Sequence, residues 1–596
     1  MNINGVTIDA TFAEAFPMKA TWIIITAQNE KWALIAAQSM TGFATSVIMC
    51  GCEAGIDRVL DPSETPDGRP GVAVLIFAMG GKTLAKQLET RAGQCVLTSP
   101  TSALFAGIES ATKIPLGKNL RYFGDGFQIG KVIAGKRYWR IPVMDGEFLA
   151  EATTGQVEAI GGGNFLVLGQ SQGQVLAACE AAIEAMNKVS NVIMPFPGGV
   201  VRSGSKVGSK YAALNASTND AFGPTLKGAT KTELSPDTEC VMEIVIDGLT
   251  KADIDIAMRA GIQAVCDLGA ANGIKRISAG NYGGKLGPYH FHLQEIMGDK
   301  KSEVSTQKAE PAASVTTSAT AKLKPMTFTL KTQPKQRVDM SPLVPANMLD
   351  KNADDITKIT LQCGKQQIPV GDLFDVSGEN PHDILINNSF DKLDFIGKEL
   401  DGGSITVNGD VGAYLGIGMK SGNIKVNGNA DIFTGCEMKK GTLEINGNVG
   451  EFLGGALPGN KMGMKGGTIL VKGNVGARAG DHMRRGLILI EGNAGDYCGS
   501  RMTAGTIAVM GNTGRYVGYA MRRGTLLLWN QPQLLPSFND CGAHTLGFLP
   551  LLFNSFKTTN SKFADNAAAF NRVQRYAGDM SEIGRGEVLV KIVKGA

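Results

Sequence analysis

The feature that most constrains this 596-residue chain is a period. Gly-Asn or Gly-Asp pairs begin at Gly409, Gly428, Gly447, Gly473, Gly492 and Gly511, in steps of 19, 19, 26, 19 and 19 residues. A second glycine series (Gly416, Gly435, Gly454, Gly480, Gly499, Gly518) and a methionine series (Met419, Met438, Met464, Met483, Met502, Met521) keep the same steps, so one seven-residue insertion after Gly454 explains the long one. Between the glycines lie short apolar pairs such as Ile405-x-Val407, Ile424-x-Val426 and Ile469-x-Val471. A repeat this short cannot bury its apolar face alone, and stacking on its neighbours solves that, so the pattern predicts a solenoid. Nineteen residues suit one coil of a right-handed β-helix over about 400–530. Glycines then turn the corners at positive φ. The methionines point inward as adaptable filler, Asn429, Asn448, Asn474, Asn493 and Asn512 stack as a side-chain amide ladder, and coils lie about 4.8 Å apart.

Basic residues follow most of the methionines: Lys420; Lys439 and Lys440; Lys465; Arg484 and Arg485; Arg522 and Arg523. Stacking turns them into a column of like charge. Such a column either faces an anionic ligand or partner, or is a solvated edge that deters sheet-to-sheet pairing. Both readings stay open at this stage. The flanking segments 326–400 and 531–596 lack the period and are expected to cap the stack, with Gly584–Lys594 as a closing strand.

Residues 298–325 hold no aromatic and are rich in Ser, Thr, Ala and Lys. They cannot bury enough surface to offset ordering, which predicts a flexible linker between a unit at 1–297 and another at 326–596. The first unit reads as α+β, two split β-α-β (ferredoxin-like) lobes at about 1–150 and 151–297. Apolar runs predict strands at Thr21–Ala27, Thr45–Cys50, Asn164–Leu168, Val192–Met194, Cys240–Ile246 and Ile274–Ser278. Helical spacing links Trp32, Ile35 and Met40; Val175, Cys179 and Ile183; and Ile254, Met258 and Ile262. Thr250 and Asp253 resemble a capping box, and Gly269 ends that helix.

Several function classes fall away. A net charge of +4 gives no bulk field for nucleic acid. Trp32–Cys52 is uncharged for 21 residues but too polar to span a bilayer, and no leader pattern opens the chain. Ten scattered cysteines are too sparse for a disulfide framework, so a reduced, cytoplasmic protein is expected. No P-loop, GxGxxG opening a helix, or GxSxG elbow occurs. Of five histidines only His290 and His292 are close-set, and no further ligand completes a shell, so no metal is expected.

What remains is one carboxylate and two loops. Glu243 stands in CVMEIVI with Val241 and Val245 on its own face and Met242 and Ile244 on the other. Burial there disfavours the charged form and suits a general acid or base near neutral pH. The alternative is a structural carboxyl held by backbone or a buried cation. The loop from Phe196 to Asp220 offers Arg202, Ser205, Lys206, Ser209, Lys210, Asn219 and Asp220. The loop Ser278–Gly287 offers Asn281 and Lys285. Glycines, hydroxyls and cations of this kind can hold carboxylates or phosphates through backbone N–H and ammonium donors. A plain solvent loop is the alternative for each.

These segments carry a resemblance. MNINGVTIDATFAEAF at Met1–Phe16, Thr41–Cys50, Glu53–Asp57, Glu64–Gly71, Gly93–Thr101, YFGDGF at Tyr122–Phe127, FPGGVV at Phe196–Val201, SKVGSK at Ser205–Lys210, Ala216–Ala221 and ISAGNYGGKLG at Ile277–Gly287 closely resemble, in order, formylmethanofuran:tetrahydromethanopterin formyltransferases. The repeats resemble the C-type chain of formylmethanofuran dehydrogenase and of the bacterial formyltransferase/hydrolase complex, and the glutamate synthase β-helix. The first resemblance implies formyl transfer between methanofuran and tetrahydromethanopterin as substrates, with no bound cofactor, by a homo-oligomer. It carries the family's strand glutamate onto Glu243. A substrate-contact role is expected for the glycine-rich loops on their own chemistry, Asp125 of Gly124-Asp125-Gly126 included. Together the two resemblances imply partner chains of the hydrolase or dehydrogenase complex (A and B type) and a place in formaldehyde oxidation to formate. The same transferase working in the CO2-reducing direction, or a non-catalytic assembly scaffold, are the competing readings.

Overall fold

In the computed structural model, which describes residues 1–214, 216–298 and 323–592, a 15-residue strand, Phe12–Thr26 (β1), organises the first unit. The helix Glu30–Thr41 (α1) follows, N-capped by Asn29 and burying Ala33, Ala36, Ala37 and Met40. Strands Glu53–Leu60 (β2) and Gly71–Ala78 (β3) come next, then the helix Gly81–Arg91 (α2) and the strand Ala103–Ala106 (β4). The second half supplies Val157–Gly169 (β5), the helix Gln172–Met186 (α3), Cys240–Gly248 (β6), the helix Lys251–Leu268 (α4) and Ile274–Ser278 (β7). The capping expected at Thr250 is present: its hydroxyl accepts from Asp253 N at 3.2 Å. Gly269 closes that helix at φ 75°.

β1 is long enough to serve two cores. Its C-terminal half pairs antiparallel with β3 and β4, and Ala20–Phe16 pair with Val157–Gly161 of β5. Its N-terminal end pairs with Tyr289–His292. One core packs α1 and α2 against Ile23, Ile25, Val74 and Ile76. The other packs α3 and α4 against Phe165, Val167, Ile244 and Ile246, and takes in Val6, Ile8, Ala13 and Ala15 from the start of the chain. The unit is therefore a mixed α/β assembly around one shared sheet.

One expected strand is a correction. Thr45–Cys50 forms a short helical turn, Val47–Cys50. Ser46 caps it by accepting from Ile48 N, and Gly51 ends it at φ 76°. Local capping overrides β propensity here; the returning strand is β2, bonded to β3.

The expected linker at 298–325 falls almost wholly outside the described residues. The second unit is a large sheet. Its strands Ser404–Gly409, Asn423–Asn427, Thr442–Ile445, Lys465–Val471, Arg485–Ile490, Thr506–Val509 and Arg523–Leu528 run parallel, each in register with the next one period along the chain. A second line of parallel bridges joins Val411, Ala430, Val449, Val475, Ala494 and Thr513. All six series methionines are fully buried. The glycine series from Gly416 to Gly518 adopts φ between 61 and 72°. The other glycine series is needed for closeness instead: a Cβ on Gly428 would lie 2.3 Å from Gly409 O.

The asparagine ladder is present with a different bond. In each rung a backbone N–H donates to the preceding side-chain oxygen, as in Asn448 N to Asn429 Oδ1 at 2.8 Å. A second, amide-to-amide ladder joins Asn387, Asn408, Asn427 and Asn446 at 2.8 Å per rung. At the C-terminal end, Arg585–Lys591 pairs parallel with Arg523–Leu528. Among the described residues no helix is long and apolar enough to cross a membrane.

Candidate active site

Glu243 lies mid-way along β6, and strand pairing fixes its neighbours. β5 opposes Leu166 to Glu243 and Asn164 to Val245, and β7 opposes Ser278 to Leu166. Opposed residues share a face, so Glu243 shares one with Leu166, Val245 and Ser278. Ile244 and Ile246 point the other way and are fully buried. The open edge of β6 is bridged by Val201, whose N donates to Glu243 O at 2.7 Å and whose O accepts from Glu243 N at 2.9 Å. The loop that starts at Phe196 therefore begins beside Glu243.

Glu243 is half-buried, not sealed as its apolar neighbours predict. Those neighbours cover its flanks and leave part of the side chain open. Burial still pushes its carboxyl up to about 7, because loss of water penalises the charged form. Tyr282, in the loop after β7, stands near enough to feel it. Burial first, then the charges of Glu243 and Glu14, hold the Tyr282 hydroxyl above the usual phenol range. It stays a hydrogen-bond donor at neutral pH.

The same loop corrects a second expectation. Its backbone N–H groups are not free for a substrate anion. Glu14, 1% exposed on β1, accepts from Tyr282 N at 2.7 Å and Gly284 N at 3.0 Å, and from Leu286 N and Gly287 N. Burial opposes the charge on Glu14, but these four donors outweigh it and hold its carboxyl below the usual range. Gly283 and Gly284, at φ 75 and 71°, let the donors converge. Asn281 is also committed: its Nδ2 donates to Phe12 O at 3.1 Å and its Oδ1 accepts from Gly283 N. Lys285 is exposed.

In the other loop, Ser205–Val207 and Ala216–Thr218 pair antiparallel, with Ser205–Val207 exposed and Ala216 and Ser217 half-buried. Lys206 and Asp220 pair with each other rather than presenting separate charges, and that hydrogen bond holds the Asp220 carboxyl below its usual range. Ser209 Oγ accepts from Tyr211 N at 3.0 Å, and Asn219 N donates to Gly204 O at 3.4 Å. Arg202, Ser205 and Lys210 are exposed. Asp125 lies in the other half of the unit, exposed, at φ 46° after the turn Arg121–Gly124. A cleft of about 650 Å³ runs from Gly42, Phe43 and Ile56 to Ile193, Phe196 and Pro197–Gly199, two residues short of the Val201 bridge.

Sequence reading missed three features: Glu14, Tyr282, and a buried carboxyl pair, Glu53 on β2 and Asp247 on β6. Glu53 Oε1 accepts from Val47 N and Asp247 Oδ1 from Gly162 N, both at 3.0 Å. Burial, then the charge of Glu53, pushes the Asp247 carboxyl well above the usual carboxylate range. Glu14 carried a signal, a charge between Ala13 and Ala15 in an apolar strand, but its partners lie some 270 residues on, at Tyr282–Gly287.

His290 and His292 share a face as expected, but each ring packs on Phe12, at 4.7 and 5.2 Å. Among the described residues no group of three or more His, Cys, Asp or Glu is arranged to hold a metal ion. In the second unit the basic column is partly paired: Lys420 with Glu399, Lys465 with Glu437 and Arg522 with Glu582. Lys439, Lys440, Arg484, Arg485 and Arg523 are exposed.

Known proteins match both parts of the chain in sequence. Residues 1–143 match the family model for formylmethanofuran-tetrahydromethanopterin formyltransferase, 146–296 that of its proximal lobe, and 389–541 that of the GXGXG motif. Formylmethanofuran–tetrahydromethanopterin formyltransferase of Methylococcus capsulatus is 79% identical over 297 residues, 50% of this chain and 100% of that protein. The D-type chain of the formyltransferase/hydrolase complex of Methylorubrum extorquens is 52% identical over 301 residues, 50% of this chain and 97% of that protein. A crystal structure of that complex with methylofuran matches at 52% identity over 50% of this chain and 98% of its own, with a TM-score of 0.49. Through its first half, this chain belongs to the formylmethanofuran–tetrahydromethanopterin formyltransferase family.

Proposed function

We propose that this enzyme moves a formyl group between a nitrogen of tetrahydromethanopterin and the amine of methanofuran, with Glu243 as general acid–base. The observation that carries the assignment of Glu243 is its half-buried carboxyl, pushed up to about 7, at the foot of two loops. The acceptor amine attacks the formyl carbon and a tetrahedral adduct forms with negative charge on oxygen. Glu243 takes the proton from the attacking nitrogen and returns it to the leaving nitrogen as the old C–N bond breaks. One formyl group and one proton thus exchange places. A group whose pKa lies near the working pH suits both halves of that transfer. Tyr282, held neutral, can donate to the adduct oxygen. Arg202, Ser205, Lys210 and Lys285 are exposed donors that suit the carboxylates and phosphate of the two substrates. Asp125 and the Lys206–Asp220 pair are further contacts, with Ser209, Asn219 and Asn281 shaping the loops. Holding both amines together supplies much of the rate.

In the second unit, two parallel bridge lines repeated every period support a right-handed β-helix, capped by 326–400 and 531–596. Its exposed cations Lys439, Lys440, Arg484 and Arg485, which form no ion pair among the described residues, suit docking of an acidic partner or an acidic coenzyme tail. The relative that belongs to a formyltransferase/hydrolase complex supports partner chains of that kind, in formaldehyde oxidation. Phe43 and Met49, 80% and 82% exposed, suit a homo-oligomer contact. Ten scattered cysteines, none paired in a disulfide among the described residues, support a cytoplasmic location.

A coupled transfer assay on the full chain with both coenzymes tests the enzymatic reading. Formyl transfer dependent on both is expected; none would leave the chain a scaffold. Charge reversal at Lys439, Lys440, Arg484 and Arg485 is expected to release a partner chain or weaken coenzyme binding, as read by co-purification and by coenzyme titration. If neither changes, the stripe is a solvated edge.

A further inference from the structure

We propose that Glu14 is a positioning residue for the transfer site: its carboxylate gathers the turn Asn281–Gly287 and so sets where Tyr282 stands relative to Glu243. The proposal rests on the transferase reading of Glu243. A buried carboxylate ordinarily needs a cation or several hydrogen bonds. Glu14 has the second in full, and all four donors come from one seven-residue stretch: Tyr282, Gly284, Leu286 and Gly287. The arrangement is an anion nest whose anion is built into the protein.

The turn has little else to define its shape. Tyr282, Gly283, Lys285 and Leu286 are all exposed. Apart from Gly283 N donating to Asn281 Oδ1 at 3.1 Å, the remaining ties described for it sit at its two ends. Asn164 accepts from Gly280 N at 2.6 Å, Asn281 donates to Phe12 O, and His290 Nε2 contacts Gly287 O at 3.1 Å. Between those anchors Glu14 is the centre on which the backbone turns. Gly287 must be glycine for that approach, because a Cβ there would lie 2.3 Å from Ala15 O. Glu14 acts on the reaction without touching substrate: it sets where the Tyr282 hydroxyl and the Lys285 ammonium stand relative to Glu243.

The test is a double-mutant cycle in the full chain with Glu14→Gln and Tyr282→Phe. A glutamine presents one acceptor and one N–H donor where two acceptors were, so it opposes some of the four donors. Displacing a catalytic group by about 1 Å costs about 10²-fold, so Glu14→Gln should lower kcat/KM by about 10–100-fold with circular dichroism unchanged. In the Tyr282→Phe background the same change should cost less than about threefold, the non-additivity expected when one residue acts through another. A purely structural role gives losses that multiply, and that result overturns the proposal, as does wild-type turnover by Glu14→Gln. If Glu14→Gln does not fold, Gly287→Ala lifts the turn off Glu14 without altering a charge; it should show the same loss and the same non-additivity, and wild-type turnover by it overturns the proposal. If the unaltered chain transfers no formyl group, the transferase reading fails by itself. Amide exchange at the four N–H groups then decides: slow exchange supports the hold by Glu14, and exchange as fast as an open loop ends it.

Discussion

Replacing Glu243 by glutamine should make the protein worse at its reaction and more stable, with the second effect visible only above a definite pH. Moving a carboxyl from its ordinary 4.5 to about 7 is worth about 3 kcal/mol between its two protonation states. The sign follows from proton counts. Between those values the folded protein holds a proton that the unfolded chain has released, so stability falls as pH rises through that window. Below the ordinary value both states are protonated and nothing is lost. Above 7 the cost is present in full. Glu243→Gln keeps the shape and removes the titration, so the variant should match the wild type well below pH 4.5 and exceed it by up to about 3 kcal/mol at about pH 8. Denaturant unfolding of the first unit at a series of pH values reads this directly. In the transfer assay the same variant should lose about 10²-fold or more in kcat, the usual share of a general acid–base. Its kcat/KM profile should lose the inflection near 7. A stability difference independent of pH would falsify the burial argument, and an unchanged rate would remove the catalytic role even if the stability difference held.

Two further perturbations have worked directions. Asp247→Asn removes a proton-holding group whose carboxyl burial and Glu53 push up; the variant should gain stability over the wild type as pH climbs above the usual carboxylate range, by denaturant unfolding at pH 5 and 8. Arg478 stands in the aromatic ladder with its guanidinium 5.8 Å from the Phe452 ring and 4.5 Å from that of Tyr497; Arg478→Ala should cost about 1 kcal/mol, whereas Arg478→Phe, which restores a ring, should cost less than half of that in the same unfolding assay.

The second unit was legible because its physics is local and repeated. A residue type that recurs every period has one environment, so burial of Met483 follows from burial of Met464, and both are fully buried. The aromatic ladder was not read. Phe395, Tyr414, Phe433 and Phe452 stack at 4.7–5.3 Å, two residues before each corner. They sit at φ 58 to 64°, a conformation that bulky residues avoid unless packing enforces it. A rule that reserves positive φ for glycine therefore skips them. The ladder also runs through Arg478, so residue identity breaks where the geometry does not. Coil register supplies what composition conceals.

The site divides along the same line. Glu243 was readable because its signal is short-range: a charge in a strand whose near neighbours are apolar. Glu14 has that signal too, between Ala13 and Ala15, yet its meaning lies in Tyr282 to Gly287 at the far end of the unit. From sequence the glycines of that turn suggest an open anion site. In the structure they converge on a carboxylate the protein already owns. A glycine-rich turn tells us that backbone donors gather, but not what they gather on, because the acceptor is chosen by sheet topology. Here β1 carries Glu14 alongside Tyr289–His292, with Glu14 opposite His290, and so under the turn that precedes that strand. That pairing at the N-terminal end of β1 thus sets the reach of Tyr282, and a substitution in the first strand is expected to be felt at the acid–base residue even though no bond is described between Glu14 and Glu243.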